Sequence, residues 1–514
     1  MNTNKYNKVI AGLFSFLLPL STFLLISCYH ASVPTQFTDI KKAPAIYPDY
    51  VDVTIPVNIA PLTFELEDSC DEIVARFTVG DHELVCGGQA VQPEMDDWHE
   101  LVNKAVDKKQ DVNVEVFIRL DQEWWRYQPF HITVSPDSID PYISYRLISP
   151  SYVAYEELTL NQRCLENYDE EVMVNNMLCG AEIAGQCVNC HNYQQYNPRR
   201  MQFHARQAHG GTVIAYDGQL RKINMRNDSI LSAGVYPAWH PWLPLIVYST
   251  NKTSQSFHTQ NPNRIEVFDA VSDLIGYDVA KNEVTNLENA VDEFEVFPVW
   301  APDGKTIYYC SAHFEFRDTV GHDVEVVSRF QEVKYNIYKK SFDPDTYQFG
   351  PRELVFQADS LGKSATLPRV SPDGRFLMFT LGNYGVFHIW HREADLYLLD
   401  LASGEVRAMD EINSPETESY HAWSSNGRWV IFSSRRDDGS FTRPFMAHID
   451  ADGKGSKPFE LPQADPDYHR QFLKCYNIPE FMRGPVEVSP QSFASLLKAS
   501  DGEAVKYVPR LNKR

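Results

Sequence analysis

The sequence predicts a mainly β protein: an N-terminal immunoglobulin-like β-sandwich followed by a β-propeller. Three observations carry this expectation. The 514 residues include 31 Pro, 27 Tyr and 29 Phe but only 10 Met, a balance of strand and turn formers rather than of a helical bundle. Segments such as Val51-Asp52-Val53-Thr54-Ile55 alternate with the period of a half-buried strand. One strand-turn-strand pattern then recurs through the second half of the chain. The 43% hydrophobic content is enough to build full cores, and the length suits roughly two to four domains.

At the N-terminus, Lys5 and Lys8 precede a nearly unbroken apolar run from Ala11 to Ile26. It is shorter than the about 20 residues of a spanning helix. The run ends in Leu25-Ile26-Ser27-Cys28, which resembles a bacterial lipobox. The resemblance implies that residues 1–27 are a lipoprotein signal peptide and that Cys28 becomes the lipidated terminus. No acidic cluster follows Cys28, so the expected location is the outer membrane, facing the periplasm, with the membrane reached through the lipid. Residues 28–48 are polar and Pro-containing, as in a tether.

Residues 49–140 read as short strands, with Val112 to Ile118 alternating and one amphipathic stretch, Asp97 to Val106, as a helix. This is the expected sandwich domain. Residues 141–211 change character. Tyr152 to Asn176 is rich in Glu, Leu and Asn and reads as short helices, a linker that also carries a cysteine segment.

The repeats occupy residues 212–462. Pro237-Ala238-Trp239, Pro298-Val299-Trp300, Pro368-Arg369-Val370 and His421-Ala422-Trp423 each precede a turn and an apolar strand. Three of the turns are Pro302-Asp303-Gly304, Pro372-Asp373-Gly374 and Ser425-Asn426-Gly427, where Asp or Asn before Gly marks a tight hairpin. The first copy, His240-Pro241-Trp242-Leu243, lacks this pair. The anchors stand 61, 70 and 53 residues apart, a spacing that suits four-stranded blades. These residues resemble the WD-repeat-like blades of TolB-type β-propellers, over about half of the chain. The resemblance implies a ring of six blades, with the two unaccounted for drawn from residues 141–211 and 436–490. The tail, 463–514, contains Ser489-Pro490, an N-cap and first-turn proline opening a short helix.

One motif carries chemistry. Cys187-Val188-Asn189-Cys190-His191 reads as C-x-x-C-H, the c-type haem attachment pattern. Two thiols at that spacing reach the vinyl groups on one porphyrin edge, and the adjacent imidazole meets the iron. The following Met201-Gln202-Phe203-His204-Ala205-Arg206 resembles the segment after this motif in single-haem exported proteins fused to TolB-like propellers. The resemblance implies His204 as the second iron ligand, with His209 or Met201 as alternatives, and Arg206 as partner of a haem propionate. The same residues also fit a zinc spacing, Cys187, Cys190, His204 and His209, or a plain disulfide.

An oxidising compartment makes disulfides expected among the nine cysteines. Cys70 with Cys86, flanking one hairpin, is the first pairing, and Cys164 with Cys179 the second. The net charge of −22 disfavours nucleic acid, so none is expected as a partner. No G-x-S-x-G elbow, P-loop or dinucleotide fingerprint is present, so an enzyme is not the leading expectation. The expected function is a lipid-anchored envelope protein with one covalent haem, relaying electrons to a redox partner or sensing redox state. The alternative is a non-catalytic propeller that binds an envelope protein, its Cys/His segment structural or zinc-binding.

Overall fold

The computed structural model describes residues 31–513 apart from 151–156, 180–185, 318–319 and 500. Cys28 and the signal segment therefore lie outside the described residues. The chain is mainly β, with a propeller-like ring of sheets behind an N-terminal domain.

The N-terminal domain differs from the expected sandwich. Its strands form one main sheet, in the order Thr38–Asp39, Glu123–Arg126, Val112–Leu120, Glu72–Val79, His82–Gly88. Phe130–Ser135 pairs with the start of Val112–Leu120, and Thr54–Pro56 runs parallel to it. A helix, Met95–Lys108, packs where a second sheet was expected. Its Trp98, Leu101, Val102 and Ala105 recur at helical spacing and are buried. The Trp98 indole donates to the Ile59 carbonyl at 3.1 Å, and the ring meets Phe77 edge-on. One long helix presenting such a stripe covers a sheet face as well as several strands would.

The ring begins earlier and ends later than the repeats suggest. The described part of residues 141–211 is mostly strand, with short helical turns such as Asn176–Cys179, and is not a helical linker. Among the described residues the ring strands pair into sheets of four, five, nine, four and four strands, the nine-stranded sheet containing two successive groups, units three and four. Unit one joins both ends of the ring: the inner strand Cys475–Met482 pairs with Tyr142–Ile148, followed outward by Thr159–Cys164 and Glu170–Asn175. Unit two is Val188–Tyr193, Arg200–Ala205, Gly211–Tyr216 and Gln219–Asn224. Units three to six open with Val235–Trp239, Glu293–Trp300, Ser364–Val370 and Glu418–Trp423. The six opening strands touch one another in a closed circle. Tyr142–Ile148 is nearly all buried because both of its edges and both faces are covered. Such strands lose the alternation that marks an exposed one, and the sequence there misleads for that reason.

The tail ties the ring. The Ser489 hydroxyl accepts the Ser492 N–H at 3.2 Å and opens the helix Pro490–Ala499. That helix sets Phe493 against Phe203 with ring centroids 5.3 Å apart. Beyond it, Glu503–Ala504 and Lys506–Tyr507 add parallel edge strands to units two and three.

The four cysteines expected in disulfides are free thiols. Cys164 ends one strand of a hairpin at its turn, whereas Cys179 follows the open end, where Asn175 faces Thr159. Five residues of strand is roughly 16 Å, beyond the about 7 Å that a bridge spans. Cys86 faces Ala75 across the sheet, while Cys70 precedes the strand that begins at Glu72. Cys86 is pushed up to about 12 by burial, which keeps it a thiol and inert.

Candidate functional site

Every inner strand carries the same irregularity. One residue per strand has a left-handed backbone: Cys190, Tyr236, Phe297, Leu367, Tyr420 and Ile478, with φ between 47° and 56°. The pairing register shifts at each. These are β-bulges, which bend a strand and re-aim its side chains.

The bulges align six tetrapeptides: Cys190-His191-Asn192-Tyr193, Tyr236-Pro237-Ala238-Trp239, Phe297-Pro298-Val299-Trp300, Leu367-Pro368-Arg369-Val370, Tyr420-His421-Ala422-Trp423 and Ile478-Pro479-Glu480-Phe481. The second position is Pro or His. Proline suits a bulge, where a ladder N–H is lost anyway. The fourth position is apolar and mostly aromatic. The Trp300 indole donates to the Ala238 carbonyl and the Trp423 indole to the Arg369 carbonyl, each at 3.2 Å, linking neighbouring units.

The first positions of all six converge on a throat of about 20 Å³, room for about one water. Above it the third and fourth positions open into a cup of about 260 Å³. Its wall is rich in Trp, Tyr and Pro, with Gln195, Ser371 and Ser425 among its polar members, and three of the third positions are Asn192, Arg369 and Glu480. The Asn192 amide donates to Glu480 Oε1 at 3.2 Å. The Arg369 guanidinium stands 3.6 Å from the same oxygen and reaches the Pro368 carbonyl at 3.3 Å. Burial raises the Glu480 carboxyl above its usual range, with Arg369 opposing. Sequence reading missed Arg369 and Glu480 as site residues. The signal available was their departure, as charged residues, from the small neutral third position of the repeat.

The C-x-x-C-H segment is thus the unit-two copy of this repeat. Cys187 packs in the main core, whereas Cys190 lines the throat. His191 is 1% exposed, and neither ring nitrogen makes a hydrogen bond of normal geometry. Burial lowers its imidazole to about 4, offset in part by the facing Ser144 and Ile478 carbonyls. His204 lies on the next strand, its Nδ1 3.1 Å from the Thr212 hydroxyl, and burial lowers it to about 3. Met201 is a core residue opposite Tyr193. His209 is half-buried in a short turn, and Arg206 is exposed.

A porphyrin does not fit these residues. Ligand pockets run to about 300–1,000 Å³, and among the described residues the two thiols line no common cavity, Cys187 lying in packed core and Cys190 at the throat. Nor do Cys187, Cys190, His204 and His209 converge as a zinc site would require: among the described residues no group of three or more His, Cys, Asp or Glu could hold a metal ion.

No family model and no curated protein matches the chain. Solved structures similar to it include a prolyl endopeptidase at 12% identity and TM-score 0.32, over 63% of this chain and 42% of that one. A DUF4784 family protein from Bacteroides caccae aligns at 9% identity and TM-score 0.27, over 71% of this chain and 94% of that one. Prolyl oligopeptidase B from Galerina marginata aligns at 10% identity and TM-score 0.33, over 68% and 42%. The chain therefore spans less than half the length of the two peptidases.

Proposed function

We propose that this protein is an exported, lipid-anchored six-bladed propeller that works as a docking module, with the cup as its recognition surface. The carrying observation is the break in the sixfold repeat. A purely architectural channel would repeat one small third-position residue, yet Asn192, Arg369 and Glu480 replace it with larger polar groups at three of the six places, between the Trp and Pro of the cup wall. Loops and bulges from all six units meet there, where convergent variation costs the core least. The Lys5, Lys8 and Cys28 pattern supports the envelope location, and the repeated Asp-Gly or Asn-Gly turns after Trp300, Val370 and Trp423 support a TolB-like origin.

Gln195 is exposed on the rim of the cup. A photo-crosslinking residue placed there in living cells is expected to form a discrete adduct. The same residue at Val291, which is 76% exposed away from the cup, is expected to form none. Absence of an adduct at position 195 overturns the docking reading.

A further inference from the structure

The funnel has a chemical bias that the chain as a whole lacks. The protein carries a net charge of −22. Yet the cup and the groove beside it are lined by three arginines and one carboxyl. The groove, about 320 Å³, is lined by Arg200 and Arg483 and shares Gln195 and Pro241 with the cup. Arg200 is held by Asp217 at 2.7 Å. Arg483 has no ion-pair partner among the described residues, its guanidinium 5.8 Å from the Tyr196 ring. In the cup, the contacts of Arg369 at 3.3 and 3.6 Å are long and leave most of its five donors uncommitted.

We infer that the cup receives the free C-terminal carboxylate of an acidic peptide tail, Arg369 binding the carboxylate while the groove holds the residues before it. The inference rests on the docking reading and names its ligand. Three features select a chain end over a passing segment. The cup closes below into a throat with room for about one water, so an occupant must stop there. The apolar wall of Trp239, Trp300 and Trp423 suits the last side chain. A planar guanidinium fork matches a carboxylate in two parallel bonds. Acidity in the preceding residues follows from Arg483 on the way in, Arg200 being already held by Asp217.

The test is tryptophan fluorescence, since three indoles line the cup. The intact protein is titrated with acetyl-Glu-Asp-Glu-Phe as free acid and as C-terminal amide. The free acid is expected to bind at least about tenfold more tightly, the scale of one charge-assisted hydrogen-bond pair. In Arg369→Gln the acid should fall to the level of the amide. In Arg483→Gln, a rim change, both should weaken together. Equal binding of acid and amide by the unmodified protein overturns the inference, as does binding of neither. If position 195 still crosslinks a partner in cells, the docking reading survives that failure. If it does not, both fall.

Discussion

At position 191 the repeat accepts either Pro or His, and this one residue separates two accounts of the protein. Four of the six equivalent positions are Pro237, Pro298, Pro368 and Pro479. His191→Pro should therefore fold, with stability within about 1 kcal/mol of the parent, because proline already occupies this place in the bulge of four units. Thermal melting checks this. Glu295 presents the opposite case. It is fully buried and neither oxygen has a partner. Burial, then Glu288, Asp273 and Glu293, push its carboxyl up to about 9. The folded state thus keeps a proton that the unfolded state loses near its ordinary pKa of about 4.3. The favourable contribution is complete below that value and is lost as pH rises towards 9. Glu295→Gln should be more stable than the parent at pH 8, by on the order of a few kcal/mol, and the gap should close towards pH 4. Chemical denaturation at both pH values checks the sign. A gap that widens on acidification would contradict the assignment.

Among the elements, the clearest in the sequence were those with local chemistry. The Asp303, Asp373 and Asn426 side chains each accept the N–H two residues on, at 2.8, 3.0 and 3.0 Å, and so fix the turns of units four to six. Gly374 completes its turn at φ 77°, which a side chain rarely adopts. Unit three lacks Asp-Gly, and His240 substitutes. Its Nδ1 accepts the Leu243 N–H at 3.1 Å, and Nε2 stands 2.9 Å from the Gly304 carbonyl. The helix Met95–Lys108 was legible from its apolar stripe, but not that it would replace a sheet, since a stripe does not name its partner. Trp98→Ala should cost about 3–5 kcal/mol through a cavity beneath that helix. Urea unfolding of the intact protein would show the loss as an earlier first transition. Units one and two stayed hidden for separate reasons. The inner strand of unit one stands more than 300 residues after the strand it pairs with. The copy in unit two has Cys190-His191 in the bulge and so reads in the sequence as a cofactor signature rather than as a copy of the repeat. Arg369 and Glu480 were in plain view, but only the superposed bulges show them facing one cup.

For the whole molecule, closure is the controlling feature. Cys475–Met482 pairs with Tyr142–Ile148 and packs beside the inner strands of units two and six. The ring is thus held by hydrogen bonds between the two ends of its own sequence. A chain ending before Cys475 should lose its cooperative melt, because unit one would expose the buried edge of Tyr142–Ile148. A chain ending after Ala499 keeps the closure and should retain one, at a lower temperature. The same architecture bears on the central claim, that the C-x-x-C-H segment is a strand of this ring and not a cofactor anchor. The most direct measurement is the absorbance spectrum, with intact mass, of the protein purified from a host that installs c-type haem. The account predicts no Soret band and a polypeptide without porphyrin on Cys187 or Cys190. A Soret band that disappears in Cys187→Ser would contradict it.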